Sequence, residues 1–145
     1  MKYPKSLILV FIIAVLLAAC GAAGDSGTPE SETAPVMDYA SFAAYLGEAG
    51  LQVEETGVVS QPFTATEGKT LTVNGDEMQV FEFSDQSSAE AQAAAFKEYF
   101  DTAMIMWIAP PHFYQTGKII VLYLGENAEI IRTLEAVAGT QFAGQ

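Results

Sequence analysis

The chain has 145 residues, half of them apolar and only 17% charged, which fits one folded domain and excludes a disordered or fibrous protein. Its 18 acidic side chains face six basic ones, and the resulting formal charge of −12 excludes the basic surface that a nucleic-acid-binding protein needs. One cysteine and one histidine exclude an intramolecular disulfide, a zinc site of paired cysteines and a multi-histidine metal centre.

The first residues have the pattern of a secretory signal peptide. Two lysines precede an apolar run over residues 7–17, and small residues follow it up to Cys20 and Gly21. We therefore predict a signal peptide over residues 1–19. Leu17-Ala18-Ala19-Cys20 resembles the lipobox of bacterial lipoproteins. This resemblance implies that the Cys20 thiol receives a diacylglyceryl group, that the signal is cut before Cys20, and that the new amino terminus takes a further acyl chain such as palmitate.

Two other interpretations of this segment remain open. Cys20 is an ordinary cysteine in the first, and in the second the 17 uncharged residues 7–23 form an uncleaved membrane-spanning helix, for which they are just long enough. Each membrane interpretation places residues 37–145 outside the cytoplasm, in the periplasm or at the cell surface.

Residues 20–36 are predicted to be the lipidated cysteine and a flexible acidic linker, because they are small, polar and proline-containing. The mature chain keeps every acidic residue and four basic ones, so its formal charge becomes −14. An anionic surface of this kind is expected to stand away from anionic lipid.

Residues 37–145 are predicted to form a single domain. Asp38 caps a first helix that ends near Gly50, and extended stretches follow at 51–55 and 58–64. Asn74-Gly75 predicts a tight hairpin between strands at 70–73 and 78–83. Ser87 with Glu90 predicts the start of a second helix, which runs to about residue 100.

The second half of the domain is also predicted to contain strands followed by a helix. A short apolar strand is expected at 103–108, prolines interrupt it, residues 113–115 pair with 118–124, and Asn127 caps a last helix that Gly139 closes. The predicted class is α+β, with an antiparallel sheet and about three helices in two layers, in the order α-β-β-β-α-β-β-α. Residues 119–124 are apolar without alternation, so either helices cover both faces of the sheet or one face awaits a partner.

Four stretches of the domain are similar to a group of small bacterial exported proteins without an assigned activity. They are residues 61–63 (QPF), 80–83 (VFEF), 107–114 (WIAPPHFY) and 120–123 (IVLY). This resemblance implies no catalytic residues and no ligand.

The sequence offers no catalytic constellation and no metal or cofactor motif. Ser84, Ser87 and Ser88 lie where helix caps are expected, and no acid is placed beside His112 in sequence. Met104 and Met106 alternate on one face and are soft enough to bind copper, but core filling is the more common role of methionine.

The unusual segment is residues 107–114, in which aromatic side chains flank two prolines. If a ligand or partner binds here, Trp107, His112 and Tyr114 are the candidates for contacting it. The alternative is that the aromatic residues fill the core. We expect Trp107 to be structural and His112 and Tyr114 to be partly exposed at a sheet edge, since prolines cannot donate ladder hydrogen bonds.

The function predicted from the sequence is that of a lipid-anchored, extracytoplasmic binding or accessory module. The expected partner is a protein of the cell envelope, and a small apolar ligand is the alternative. No enzyme activity and no cofactor are expected, and the sequence does not indicate an oligomeric state.

Overall fold

The computed structural model describes residues 37–144, so the predicted signal peptide, Cys20 and the linker at 20–36 lie outside the described residues. Within the described range, three helices and six strands confirm the α+β class, the antiparallel sheet and the predicted order of elements. The helices are α1 (Tyr39–Glu48), α2 (Gln86–Thr102) and α3 (Ala128–Ala138), and the strands are β1 (Val53–Val59), β2 (Gly68–Val73), β3 (Asp76–Glu82), β4 (Pro111–Thr116), β5 (Ile119–Leu124) and β6 (Ala143–Gly144). None of these helices is both long and apolar enough to cross a bilayer.

Polar side chains fix the starts of the helices. The Asp38 carboxylate accepts a hydrogen bond from the main chain of Ser41, and the Asn127 side chain accepts one from Glu129, which confirms both predicted caps. Helix α2 begins two residues earlier than predicted. Its cap is Asp85, which accepts from the Ser88 N–H at 2.8 Å, so the proposed cap at Ser87 is wrong.

The sheet has the strand order β1-β2-β3-β5-β4-β6, and every pair is antiparallel. The predicted hairpin between β2 and β3 is present, and Asn74 (φ 49°) and Gly75 (φ 94°) take the left-handed conformations that its two-residue turn requires. The two extended stretches predicted at 51–55 and 58–64 are replaced by one strand, β1, which ends at Val59 and has an irregular register between Glu55 and Gly57, so residues 60–64 are not a strand.

Helices cover both faces of the sheet. Alternate residues of β5 contribute to two separate clusters: Val121 packs with α1 and α3, and Leu122 packs with α2. All six residues of β5 are buried as a result. The arrangement therefore has one helical layer more than the two layers expected, and this layer accounts for the apolar run at 119–124.

The face covered by α2 is largely aromatic. Phe63, from the loop after β1, lies 4.8 Å from Phe96 and 6.0 Å from Phe113 between ring centroids. Phe100, near the end of α2, lies 4.6 Å from Phe113. This cluster positions the chain that leaves α2, because residues 103–109 cross its border before β4 begins.

Candidate functional site

Strand β4 separates the three residues predicted for the site. His112 and Tyr114 project from one face of the sheet, toward the cluster that includes α1 and α3. Trp107 packs on the opposite face with Phe113. The structure therefore brings His112 and Tyr114 to the same face, but it does not bring Trp107 to them.

His112 is held by its neighbours on every side. It is only 8% exposed; its Nδ1 lies 2.6 Å from Gln141 Oε1 and its Nε2 lies 3.0 Å from the Gly125 carbonyl oxygen. Its ring stacks on Tyr123 at 5.8 Å between centroids. Both ring nitrogens are engaged in linking the loop after β5 to the chain before β6, so the geometry is that of a structural histidine.

Tyr114 is completely buried, and the expectation that it and His112 are partly exposed is wrong. The physical reason is that Pro111 begins β4 without ending its burial: α3 and residues 139–144 cover the strand beyond it. Among the described residues, nothing hydrogen-bonds to the Tyr114 hydroxyl. Burial, with a further contribution from the negative charge of Glu135, raises the pKa of this hydroxyl.

Trp107 is half-buried in the border of the aromatic cluster, as expected for a structural residue. Its ring lies 5.8 Å from Phe100 and 5.9 Å from Phe113 between centroids. It also forms part of the wall of a groove of about 330 Å³ that reaches Phe142 and the Lys97–Asp101 ion pair. Trp107 is thus both a packing residue and a groove residue.

The most exposed apolar side chains lie in the segment just before the prolines. Met106 is 99% exposed, Ile108 is 94% exposed and Met104 is fully exposed. We call these three side chains the apolar row. Core filling, the role favoured for the two methionines from the sequence, is wrong, because both point away from the domain.

The chain at 103–109 is not a strand of the sheet and bends at Ile108 and Ala109, so the strand predicted at 103–108 is also wrong. Exposure alternates along it: the members of the apolar row face outward, and the intervening residues Ala103, Ile105, Trp107 and Ala109 are partly buried. No main-chain hydrogen bond joins residues 104–109 to the part of the chain that the structure describes. Packing of the inward side chains, instead of main-chain hydrogen bonds to a neighbouring strand, keeps the segment on the domain.

The connections at each end explain why this segment does not join the sheet. Helix α2 passes into it at Ala103 without a turn, and Pro110 and Pro111 follow it. A strand without a turn before it cannot fold back as a hairpin, and prolines remove two main-chain donors at its other end. Both features are visible in the sequence, and they indicate that Met104, Met106 and Ile108 do not lie in a strand of the sheet.

No protein-family model, curated protein or solved structure matches this chain.

The arrangement is suited to recognition. Residues 37–144 contain no group of three or more histidine, cysteine, aspartate or glutamate side chains placed to hold a metal ion. The apolar row instead offers three adjacent side chains, with grooves of about 330 Å³ and about 310 Å³ that share Ile105 and Trp107 as lining residues. A large exposed apolar surface bordered by polar groups is typical of a protein interaction site.

Proposed function

We propose that this protein is a lipid-anchored, extracytoplasmic binding module whose docking surface is the apolar row. Its partner is a protein of the cell envelope. The observation that carries the proposal is the nearly complete exposure of Met104, Met106 and Ile108 on one side of a held segment.

Energetics support a role for this surface. Burying a side chain such as methionine or isoleucine contributes about 1.5–3 kcal/mol relative to leaving it in water. The isolated domain leaves three such side chains in water, so a partner that buries them gains a substantial favourable free energy of binding. Methionine also adapts its shape to a partner, since it is unbranched and flexible.

The proposed location rests on the amino-terminal sequence. Acyl chains on Cys20 would hold the protein at a membrane, and two or more chains are needed for stable attachment. The acidic linker at 20–36 would give the domain reach, and the −14 charge of the mature chain would keep it off anionic lipid. Under this arrangement the apolar row faces other envelope proteins.

A small apolar ligand is the second candidate, and the groove beside Trp107 favours it. Phe100, Phe113 and Phe142 line this groove together with Trp107, as is common in ligand sites. Lys97 and Asp101 also line it, so a ligand here would lie beside a charged pair. A surface on which the exposed apolar groups project outward favours a protein partner.

Capture from solubilised envelope membranes tests the proposal. The full-length protein carries a carboxy-terminal tag and is compared with a Met104→Ser/Met106→Ser variant that has the same melting temperature. The matched control is Val58→Ser, since Val58 is an exposed apolar residue (68%) on β1, at the other edge of the sheet.

The expected result is an envelope protein that is retained by the wild type and by Val58→Ser and is depleted at least about tenfold, or about 1.4 kcal/mol, with the double variant. Equal retention by all three proteins would contradict the docking surface. An apolar small molecule that co-purifies with the wild type, and is lost in Trp107→Ala but kept in the double variant, would support the second candidate instead.

A further inference from the structure

The main chain of residues 104–108 has the properties of an unpaired sheet edge. Exposure alternates along residues 103–108, as it does along an extended chain, Ala103 has an extended conformation (φ −96°, ψ 136°), and the chain bends at Ile108 and Ala109. Its N–H and C=O groups form no main-chain hydrogen bond with the described residues. An extended edge with free donors and acceptors is a template on which another chain can pair.

The edge strand β1 of the sheet, in contrast, is protected against such pairing. Strand β1 carries Glu54 and Glu55 and has a register irregularity before Gly57, and both charges and bulges discourage edge-to-edge association. Residues 103–109 have neither feature, and the side chains that they expose are large and apolar.

The side chains beside this edge offer places for alternate residues of an added strand. The groove of about 330 Å³ lies on the side of Phe100 and Phe142, and the groove of about 310 Å³ lies on the side of Ile108 and Pro110. In strand addition, main-chain hydrogen bonds give affinity and pockets for every second side chain give specificity.

The negative charge around the segment indicates the charge of the side chains on an added strand. Helix α2 ends directly at it, so the negative end of the helix dipole points there, and the last turn of α2 holds no basic residue. Glu98 and Asp101 are exposed near this end, and Lys97 is paired with Asp101 at 2.9 Å. A basic side chain on the partner is attracted to this position.

The same charge disfavours a second copy of this chain as the occupant. Each copy carries 18 acidic and six basic side chains, so two copies repel each other.

From these observations we propose that residues 104–108 accept an extended segment of the envelope partner by strand addition. The segment alternates apolar residues, which lie beside the apolar row, with basic residues on its other face, one of which lies near Glu98 at the end of α2. This inference rests on the proposed function and specifies the chemistry of its partner.

Tryptophan fluorescence provides a direct test, because Trp107 is the only tryptophan of the chain and lies inside the segment. The full-length protein in mild detergent is titrated with a nine-residue peptide in which valine and lysine alternate. Two matched peptides serve as controls: one replaces lysine with glutamate, and the other keeps lysine but has alternate amide nitrogens methylated, which removes the main-chain donors of one edge.

The lysine peptide is expected to change Trp107 fluorescence saturably, and the other two peptides are expected to bind at least about tenfold more weakly, which corresponds to about 1.4 kcal/mol. Met104→Ser/Met106→Ser should weaken binding of the lysine peptide by a similar factor, and Val58→Ser should leave it unchanged. Equal binding of the methylated peptide would show attraction by charge alone and would overturn strand addition. Equal binding of the glutamate peptide would contradict the prediction that the partner segment carries basic residues.

Failure of this inference is distinguishable from failure of the proposed function. If the peptides do not bind but capture of an envelope protein still depends on Met104 and Met106, the docking surface stands and strand addition is wrong. If capture is also independent of these residues, both proposals fail.

Discussion

Tyr114 and Tyr123 are buried on the same face of the sheet, but their hydroxyl groups have different surroundings. The Tyr123 hydroxyl donates to Asp76 Oδ2 at 2.7 Å and accepts from the Asn127 N–H at 2.9 Å. Burial, followed by the hydrogen bond with Asp76, raises its pKa to about 12. The Tyr114 hydroxyl has no partner among the described residues.

The two tyrosines therefore respond in opposite ways to removal of the hydroxyl group. Tyr123→Phe should lower the free energy of unfolding by about 1–3 kcal/mol, because it leaves the Asn127 N–H and Asp76 without their partner. Tyr114→Phe should leave the free energy of unfolding unchanged or raise it by about 1 kcal/mol, since no hydrogen bond is lost. Urea denaturation of the two variants checks the difference. A loss in Tyr114→Phe as large as that in Tyr123→Phe would show that the Tyr114 hydroxyl is bonded.

Asp85, the N-terminal cap of α2, makes the stability of the folded domain depend on pH. Hydrogen bonds from the main chain of Ser88 and then the side chain of Ser84 hold the pKa of Asp85 below its usual value of 3.8. A depressed pKa in the folded state gives stability that is present above the unfolded pKa and is lost as the pH falls through the folded pKa. The wild type should therefore be destabilised below about pH 4.

Asp85→Asn isolates this contribution, because asparagine also caps helices but does not titrate. The variant is expected to lose less stability than the wild type when urea denaturation is repeated at about pH 2.5 instead of pH 7. An identical loss in both proteins would mean that Asp85 does not contribute to the acid sensitivity.

At the scale of elements, the segment at 103–109 differs from every strand of the sheet in how it is held. Trp107 and Ala109 pack against the aromatic cluster, and the side chains of the apolar row are almost fully exposed. The side chains that stabilise the domain and those proposed to bind the partner thus occupy alternate positions of one short segment. Substitutions can therefore change one property without the other.

Trp107→Ala should lower the free energy of unfolding by about 2–4 kcal/mol, since it removes a large ring from contact with Phe100 and Phe113. Met106→Ser should change it by no more than about 0.5 kcal/mol, as is usual for an exposed side chain. Thermal and urea denaturation provide both values. A destabilisation by Met106→Ser comparable to that by Trp107→Ala would show that the outward side chains are part of the core.

Local sequence signals predicted the elements that local interactions determine. The caps at Asp38 and Asn127, the Asn74-Gly75 turn and the stop at Gly139 each depend on a few adjacent residues, and the structure has them all. The helix face of α2 was also predictable, because Ala89 and Phe96 recur at helical spacing and are buried.

Features that depend on packing between distant elements were not predictable in the same way. The apolar run at 119–124 indicated a strand covered on both faces or one awaiting a partner, and only the position of α2 decides between these. The exposure of Met104 and Met106 depends on the absence of a neighbouring strand, for which the missing turn and the two prolines give only an indirect signal in the sequence. His112 was predicted at a sheet edge from the prolines before it, and the residues that cover it, including Gln141, come from the far end of the chain.

As a whole, the proposed molecule combines an acidic domain, an acidic linker sequence and a cysteine that resembles a lipid attachment site. In this proposal the domain carries an exposed apolar row and a large excess of acidic side chains. This combination favours encounter with a partner that carries basic residues near apolar ones.

Lipid attachment is tested by metabolic labelling with a clickable fatty acid. The wild type should be labelled, and Cys20→Ala should be unlabelled and accumulate as a precursor of higher mass, because the thiol is the expected acceptor. Cys20→Ser provides a second variant of nearly the same shape. Equal labelling of the wild type and either variant would contradict attachment at Cys20.

The most direct test of the docking surface is site-specific photocrosslinking in intact cells. A photoreactive phenylalanine analogue replaces Met106 in one protein and Val58 in another, and adducts are resolved on gels and identified by mass spectrometry. We predict a discrete adduct with one envelope protein from position 106 that position 58 does not form. No adduct at either position, the same adducts from both, or an adduct at 106 only with a second copy of this chain would contradict the account.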